Sequence, residues 1–277
     1  MIKKLICPTD FSDAAHNATE YAAKMAQLFN AELLFVNVNS VSPVAAAVSM
    51  AEGMSLHRNE NLGAAAGRLE ELCTEVNKIF KISTTYEVDV TSKSLEMVLS
   101  GLDASNSLIV IGTNGCDDIF QQLFGSHSFN VIRNVQCPVL VVPENAFYGH
   151  IHKITYAWGE EMENHFSFSL LGYFREIMNP EFVFLHISHR GRDTNRDIYA
   201  SLRAEVVKVF GEKPGVDFDQ VFSDDIPYTI SQYMKTSGSD ILALNYQKKG
   251  PVSQWFFTSA IRKLVETIPY PILVMQL

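Results

Sequence analysis

Ten short apolar runs, five in each half of the chain and separated by longer helical stretches, constrain the fold more than any other feature. In the first half they are Leu5–Cys7, Leu33–Val38, Tyr86–Val90, Leu108–Ile111 and Val139–Val142. The second half answers with Ile154–Ala157, Phe182–Ile187, Phe218–Phe222, Ile241–Leu244 and Ile272–Met275. Short apolar runs with helices between them are the pattern of parallel strands joined by crossover helices, so each half is read as an α/β unit with a five-stranded parallel sheet. The helices fit that frame. Ser12 or Asp13 is placed to cap a helix whose Ala15, Ala18, Ala22, Met25 and Phe29 share one face, and its counterpart in the second half runs from about Glu161 to Met178. Both apolar faces are expected to pack on the sheet.

The two halves can be set in register. Asn37-Val38 corresponds to His186-Ile187 at an offset of 149, whereas the run from Cys137 corresponds to the run from Tyr270 at an offset of 133. The 16 extra residues of the first half fall between its second and third strands, where Ser40–Gly53 is a small-residue stretch ahead of a helix over Leu56–Phe80. Long connections in compact domains are often functional; this one is read either as a cover for a site or as a passive surface insertion. Internal duplication makes two domains the economical organisation, residues 1–145 and 150–277, with the break near Glu144–His150, after Pro143 closes the fifth strand and Gly149 loosens the chain.

Composition excludes several functions. A net charge of −9, distributed as −7 over residues 1–145 and −2 over the remainder, argues against a general nucleic-acid or anionic-membrane surface. No apolar run approaches the length of a membrane span. Cys7, Cys73, Cys116 and Cys137 are widely spaced and form no Cys-x-x-Cys, which favours a reducing cytoplasm and spells out neither a zinc nor a dithiol site. Cys7 and Cys137 read as small core residues, and Cys116 as an incidental loop residue. The near pairs His150/His152 and His186/His189 lack Cys or a second spaced pair, and are read as surface or strand-end residues.

The chemistry concentrates after the fourth strand. Gly112 and Gly115 follow Leu108–Ile111 directly, and after nine further residues Gly125-Ser126 opens a helix. Glycines at a strand end let backbone approach a ligand, and the free N–H groups of a helix start hold phosphate. Any two of these glycines alone would read as ordinary loop turns; the full set reads as a nucleotide site. Neither Gly-x-x-x-x-Gly-Lys-[Ser/Thr] nor Gly-x-Gly-x-x-Gly is present, which removes the main support for Walker-type NTPases and dinucleotide dehydrogenases.

Gly-x-x-Gly-x9-Gly-Ser, the opening Cys7-Pro8-Thr9-Asp10-Phe11-Ser12 and the closing Cys137–Pro143 together strongly resemble the universal stress protein family, and the resemblance extends over both halves as in its tandem members. It implies the adenine-nucleotide alpha hydrolase-like, Rossmann-like, fold. It also implies binding of ATP or another adenine nucleotide, with Mg, in the first half. Carried over position by position, Asp10 with Pro8 beside it meets the adenosine, Val38 contacts adenine through its backbone, and Ile111 and Gly112 form the ribose-phosphate edge. Gly115 and Gly125 make the phosphate turns, and Ser126 with His127 begins the phosphate-holding helix. Two positions depart from the family pattern: His127 is bulkier than the residue usual there, and Asn37 replaces a common His.

The second half has lost these features. With Ser259 aligned on Ser126, Thr258 stands at Gly125, Lys248 at Gly115, Asn245 at Gly112 and Gly159 at Asp10. The expectation is a degenerate domain kept for pairing and regulation, with one nucleotide per chain. No general base or nucleophile is identifiable at motif spacing, so the reading is a nucleotide-responsive stress regulator and not an enzyme, with slow ATP hydrolysis at most. The rival is an interaction scaffold of the same fold that binds no nucleotide. The resemblance further implies pairing of Val139–Val142 with Ile272–Met275 into an intramolecular pseudo-dimer, with further homodimerisation and a protein partner left open.

Overall fold

In a computed structural model the chain forms one three-layer αβα sandwich. The structure describes residues 1–38, 55–89, 91, 93–113, 125–159, 168–188, 196–212, 214–246, 261–265 and 268–276, with residues 55–61, 125–127, 159 and 196–198 described by their backbone alone. The first half runs β1 (Lys4–Pro8), α1 (Asp13–Phe29), β2 (Glu32–Val38), α2 (Ser55–Phe80), β3 (Thr84–Asp89), α3 (Leu95–Ser100), β4 (Ser107–Thr113), α4 (Gly125–Asn134) and β5 (Val139–Pro143). The second runs β6 (Lys153–Gly159), α5 (Ser169–Met178), β7 (Glu181–Ser188), α6 (Arg196–Phe210), β8 (Val216–Phe222), α7 (Ile226–Ser237), β9 (Ile241–Tyr246) and β10 (Ile272–Gln276).

All ten strands belong to one sheet in the order β3-β2-β1-β4-β5-β10-β9-β6-β7-β8. Within each half the strands are parallel; the junction between β5 and β10 is antiparallel. There Ile272 faces Val141, Leu273 faces Leu140 and Val274 faces Val139. Exchanging the halves maps this register onto itself about the Leu140/Leu273 pair, so one short apolar run serves both sides of the seam. The two outer strands carry Glu87 and Asp89 at one end and Asp217 and Asp219 at the other, and charged side chains on edge strands discourage unwanted strand addition.

Alternation along each strand sorts the core into two clusters. Leu5, Cys7, Leu33, Phe35, Leu108 and Val110 face α1 and α2, while Ile6, Leu34, Val36, Ile109 and Ile111 face α3 and α4. Each cluster continues into the second half, through Tyr156, Phe182 and Phe184 under α5 and α6, and through Leu185, Leu242 and Leu244 under α7 and residues 261–265. Strands buried on both faces are therefore apolar at nearly every position. The halves also touch outside the sheet: the Phe29 ring packs against Tyr173 and Phe174 at centroid distances of 5.2 and 5.4 Å, and Gln276 Nε2 donates to the Ile132 carbonyl at 3.0 Å.

Helix α1 begins as its sequence requires. Ser12 is the N-cap, its hydroxyl accepting from Ala15 N at 3.3 Å, and Asn30 ends the helix in the left-handed conformation. The buried Ala14, Ala15, Ala18, Ala22, Ala23 and Ala26 let the helix lie close on the sheet. Asn17, buried on the same helix, donates through Nδ2 to the carbonyls of Pro143 and Ala146, both at 2.8 Å, and so ties α1 to the end of β5.

One strand boundary and the register differ from those read in the sequence. Strand β3 starts two residues earlier, because Thr84 and Thr85 still pair with Leu33 and Leu34. Thr84 then corresponds to Val216, an offset of 132, so the first half holds 17 extra residues before β3 and gives one back before β4. Helix α5 is described from Ser169; the expected start at Glu161, like the Ser40–Gly53 stretch, lies outside the described residues. No helix among the described residues is long and apolar enough to cross a membrane. Burial raises the Cys7 thiol to about 12 and the Cys137 thiol to about 11, which suits inert core residues; Cys116 lies outside the described residues.

Replacing Asn17 by Ala removes both tethers between α1 and β5 and is expected to cost about 1–3 kcal/mol, the range for buried groups that lose a hydrogen-bond partner. Urea denaturation of the two proteins measures it; an unchanged midpoint would show that the tether contributes nothing.

Candidate functional site

In the first half the strand order reverses between β1 and β4: β2 lies on one side of β1 and β4 on the other. In open α/β sheets such a reversal opens a crevice at the carboxyl ends of the two strands, because the connections that follow them leave toward opposite faces. Here β1 is followed by α1 on one face and β4 by α4 on the other.

The wall at β1 is an ordered turn. Pro8 pairs with Val36, and Thr9 N donates to the Val36 carbonyl at 2.9 Å. The Thr9 hydroxyl then accepts from Phe11 N at 3.1 Å. Asp10 is exposed, and its Oδ1 accepts from Ser12 N at 3.0 Å and from the Ser12 hydroxyl at 2.6 Å. Among the described residues nothing engages Oδ2. Phe11 has φ of 64°, a costly conformation for an aromatic residue, and its ring lies 3.8 Å beneath the Arg68 guanidinium of α2. The carboxylate of Asp10 is thus oriented by its own turn, with one oxygen available to accept from a hydroxyl or an amine.

Beside it, β2 ends at Val38, which pairs with Asp89. The preceding Asn37 is buried, and its Nδ2 donates to the Thr9 carbonyl at 2.7 Å while its Oδ1 has no partner among the described residues. The side chain extends the β1–β2 ladder one step past the last paired residues and holds the turn that carries Asp10. That role was not visible in the sequence, where the two residues stand 28 apart.

The opposite wall is β4. Ile111 pairs with Val141 and Gly112 with Val142. A Cβ at Gly112 would stand 2.3 Å from the Ala14 carbonyl oxygen and 3.0 Å from Ala15 N. The glycine is required by the first turn of α1 lying directly on β4, which is a packing demand of the fold. Helix α4 starts at Gly125, so Ser126 and His127 belong to its first turn, and Ser128 anchors that turn by donating from its hydroxyl to the Gly112 carbonyl at 3.4 Å. Ser128 was not singled out from the sequence; its partner lies 16 residues away across a loop. The structure therefore brings Pro8, Asp10, Val38, Ile111, Gly112 and the start of α4 to one sheet edge. Gly115, Cys116, Asp117 and Asp118 lie outside the described residues, as do the side chains of Ser126 and His127.

A model of the universal stress protein family matches residues 1–143. The chain belongs to the universal stress protein family. A universal stress protein of Methanocaldococcus jannaschii is 32% identical over 148 residues, which is 51% of this chain and 82% of that protein. Among solved structures, a universal stress protein from Archaeoglobus fulgidus superimposes with a TM-score of 0.71 at 14% identity, covering 99% of this chain and 98% of that one. A functionally unknown protein from Pseudomonas aeruginosa PAO1 follows at a TM-score of 0.57 and 11% identity, covering 99% and 92%. These likenesses extend the universal stress protein fold over the second half, beyond the reach of the family model.

Equivalent positions in the second half are filled differently. Ile154 faces Ile241 as Leu5 faces Leu108, which places Asn245 at the position of Gly112, Tyr156 at Cys7, Trp158 at Thr9 and Gly159 at Asp10. His186, at the position of Asn37, stacks on Trp158 with centroids 3.8 Å apart and planes 23° apart. Tyr156 is fully buried, with its hydroxyl beside Asn245. Large side chains thus occupy the face on which α1 lies in the first half, and Gly159, at the position of Asp10, carries no carboxylate. Lys248, Thr258 and Ser259 lie outside the described residues.

Gly112→Ala forces a methyl group into the backbone of α1 and is expected to destabilise the protein by about 1–3 kcal/mol, the usual cost of overpacking. The loss should be present without any added nucleotide when read by urea denaturation; a variant as stable as the parent would remove the packing role.

Proposed function

We propose that this universal stress protein binds one ATP, or another adenine nucleotide, with Mg at the β1/β4 crevice of residues 1–145, and acts as a nucleotide-responsive stress regulator. The observation that carries the reading is Asp10: an exposed carboxylate, oriented by Ser12 through Oδ1 with nothing among the described residues on Oδ2, at the mouth of the reversal between β1 and β4. Pro8 and the backbone of Val38 would border the base, Ile111 and Gly112 the ribose and first phosphate, and Gly115, Gly125, Ser126 and His127 the remaining phosphates. The start of α4 supports this last assignment, since unpaired N–H groups at a helix start favour an anion. When bound, the nucleotide contributes negative charge and its metal, and occupancy would order the loop between Gly115 and Gly125 and so alter a partner surface.

The domain at residues 150–277 would bind none. Its support is the loss of the carboxylate at Gly159 and the exchange of Gly112 for the buried Asn245. Its part would be to pair with the first domain and to present a second surface, in a cytoplasmic protein whose further self-association and protein partner are to be sought with the nucleotide present.

Calorimetric titration of nucleotide-free protein with Mg-ATP tests this. One equivalent should bind, Asp10→Ala should weaken binding by about tenfold to a hundredfold for a lost charge-assisted hydrogen bond, and Gly115→Val should abolish it. Two equivalents would overturn the reading of the second domain; no heat at ligand concentrations approaching millimolar would overturn nucleotide binding and leave the scaffold.

A further inference from the structure

We infer that His150 and His152 form a binding site for one borderline-soft divalent transition-metal ion on the connection between the two halves. Residues 150–152 lead directly into β6, and along an extended segment successive side chains point to opposite sides. Ile151 is buried in the core cluster, and this turns both neighbouring histidines outward, where both are exposed. Their rings lie 4.3 Å apart at centroids and 29° from parallel.

The backbone that carries them is pinned on every side. His152 N and Lys153 N donate to Asp240 Oδ2 at 2.7 and 2.9 Å, Glu181 N donates to the His152 carbonyl at 2.8 Å, and Asp240 N donates to the Lys153 carbonyl at 2.9 Å. The pairing of the imidazoles thus rests on the buried residue between them and on the bonds of His152 and Lys153 to Asp240 and Glu181. The rings stack, so they turn about their side-chain bonds to aim one nitrogen each at a shared ion, which their exposure permits; once the first nitrogen is bound, the second binds intramolecularly.

The electrostatic setting suits a cation. The Asp240 carboxylate lies against the backbone of His152 and brings negative charge to the site. The adjacent Lys153 ammonium is paired with Glu181 at 3.3 Å and donates to the Ser237 carbonyl at 3.3 Å, which neutralises the nearest positive charge. No group of three His, Cys, Asp or Glu side chains able to hold a metal exists among the described residues, so protein supplies two nitrogens and water completes the coordination. A site of two imidazoles with open positions follows the general order of divalent affinities, in which nickel and copper exceed the lighter metals. It is far from the closed four-ligand arrangement of a structural zinc site.

The test titrates metal-stripped full-length protein with Ni²⁺, alongside His150→Ala, His152→Ala and the double variant. The parent should bind one equivalent, and each single variant should lose about a hundredfold in affinity as chelation becomes attachment by one imidazole. Electron paramagnetic resonance of the Cu²⁺-loaded parent should show two equivalent imidazole nitrogens, reduced to one in either single variant. Both side chains are exposed, so the variants should melt with the parent, and a variant that does not is replaced by the Gln substitution at the same position. Single variants that bind Ni²⁺ as tightly as the parent, or a copper spectrum unchanged by either substitution, would overturn the site. The outcome is independent of nucleotide binding.

Discussion

The antiparallel pairing of β5 with β10 is the contact on which the rest of the molecule depends. Two five-stranded sheets alone would each leave an apolar edge at β5 or β10, and an unpaired apolar edge invites association with any other strand. Because the register is symmetric about Leu140 and Leu273, each half satisfies the other with the same residues. The consequence is a single sheet whose open edges, among the described residues, are the acid-bearing β3 and β8, and two core clusters that run across both halves. The aromatic contact of Phe29 with Tyr173 and Phe174 and the reach of Gln276 to α4 are available only because the seam sets the helices of the two halves side by side.

On this shared frame the halves diverge by side-chain volume at matched positions. Where the first half has Cys7, Thr9 and Gly112 beneath an alanine-faced helix, the second has Tyr156, Trp158 and Asn245. Small residues on both partners allow α1 to start immediately after β1 and to lie in contact with β4, which leaves the turn at Asp10 exposed at the crevice. Aromatic residues consume that space, as the edge-on packing of Tyr156 and Phe168 at 5.0 Å illustrates. Keeping the backbone topology while changing the fill preserves the seam and the sheet, and leaves Gly159 where the first half has Asp10.

The strands were legible because burial on both faces leaves little room for polar residues, so runs such as Leu108–Ile111 and Ile241–Leu244 announce themselves. Helix α1 was legible down to its cap. The edges were less so: β3 is an outer strand with exposed Thr85 and Tyr86, and its first two residues carry no apolar signal. At the site, the residue types that mark a crevice could be read, whereas the bonds that hold it could not. Asn37 reaches Thr9 across two strands, and Ser128 reaches Gly112 across a loop. Both are ordinary polar residues in the sequence, and only the fold brings their partners within reach. The histidines at 150 and 152 read as surface residues and both are exposed; that their rings meet was not legible, because it depends on the burial of Ile151 between them.

Gly112 shows how a residue can be rightly singled out for a reason that is not the one the fold imposes. Read in sequence, it is one of three glycines that suggest close approach to a ligand. In space, its missing side chain is demanded by Ala14, whose carbonyl oxygen would stand 2.3 Å from any Cβ placed there. A glycine that packing alone requires would be kept in a chain that binds nothing, so it cannot by itself argue for a nucleotide. Groups that folding does not need are more telling. The α1 cap is complete with the Ser12 hydroxyl alone, and the turn uses a single oxygen of Asp10. Among the described residues the second oxygen of this exposed carboxylate has no structural duty, and it stands at the point where the strand order reverses; that is the feature on which the proposed ligand rests.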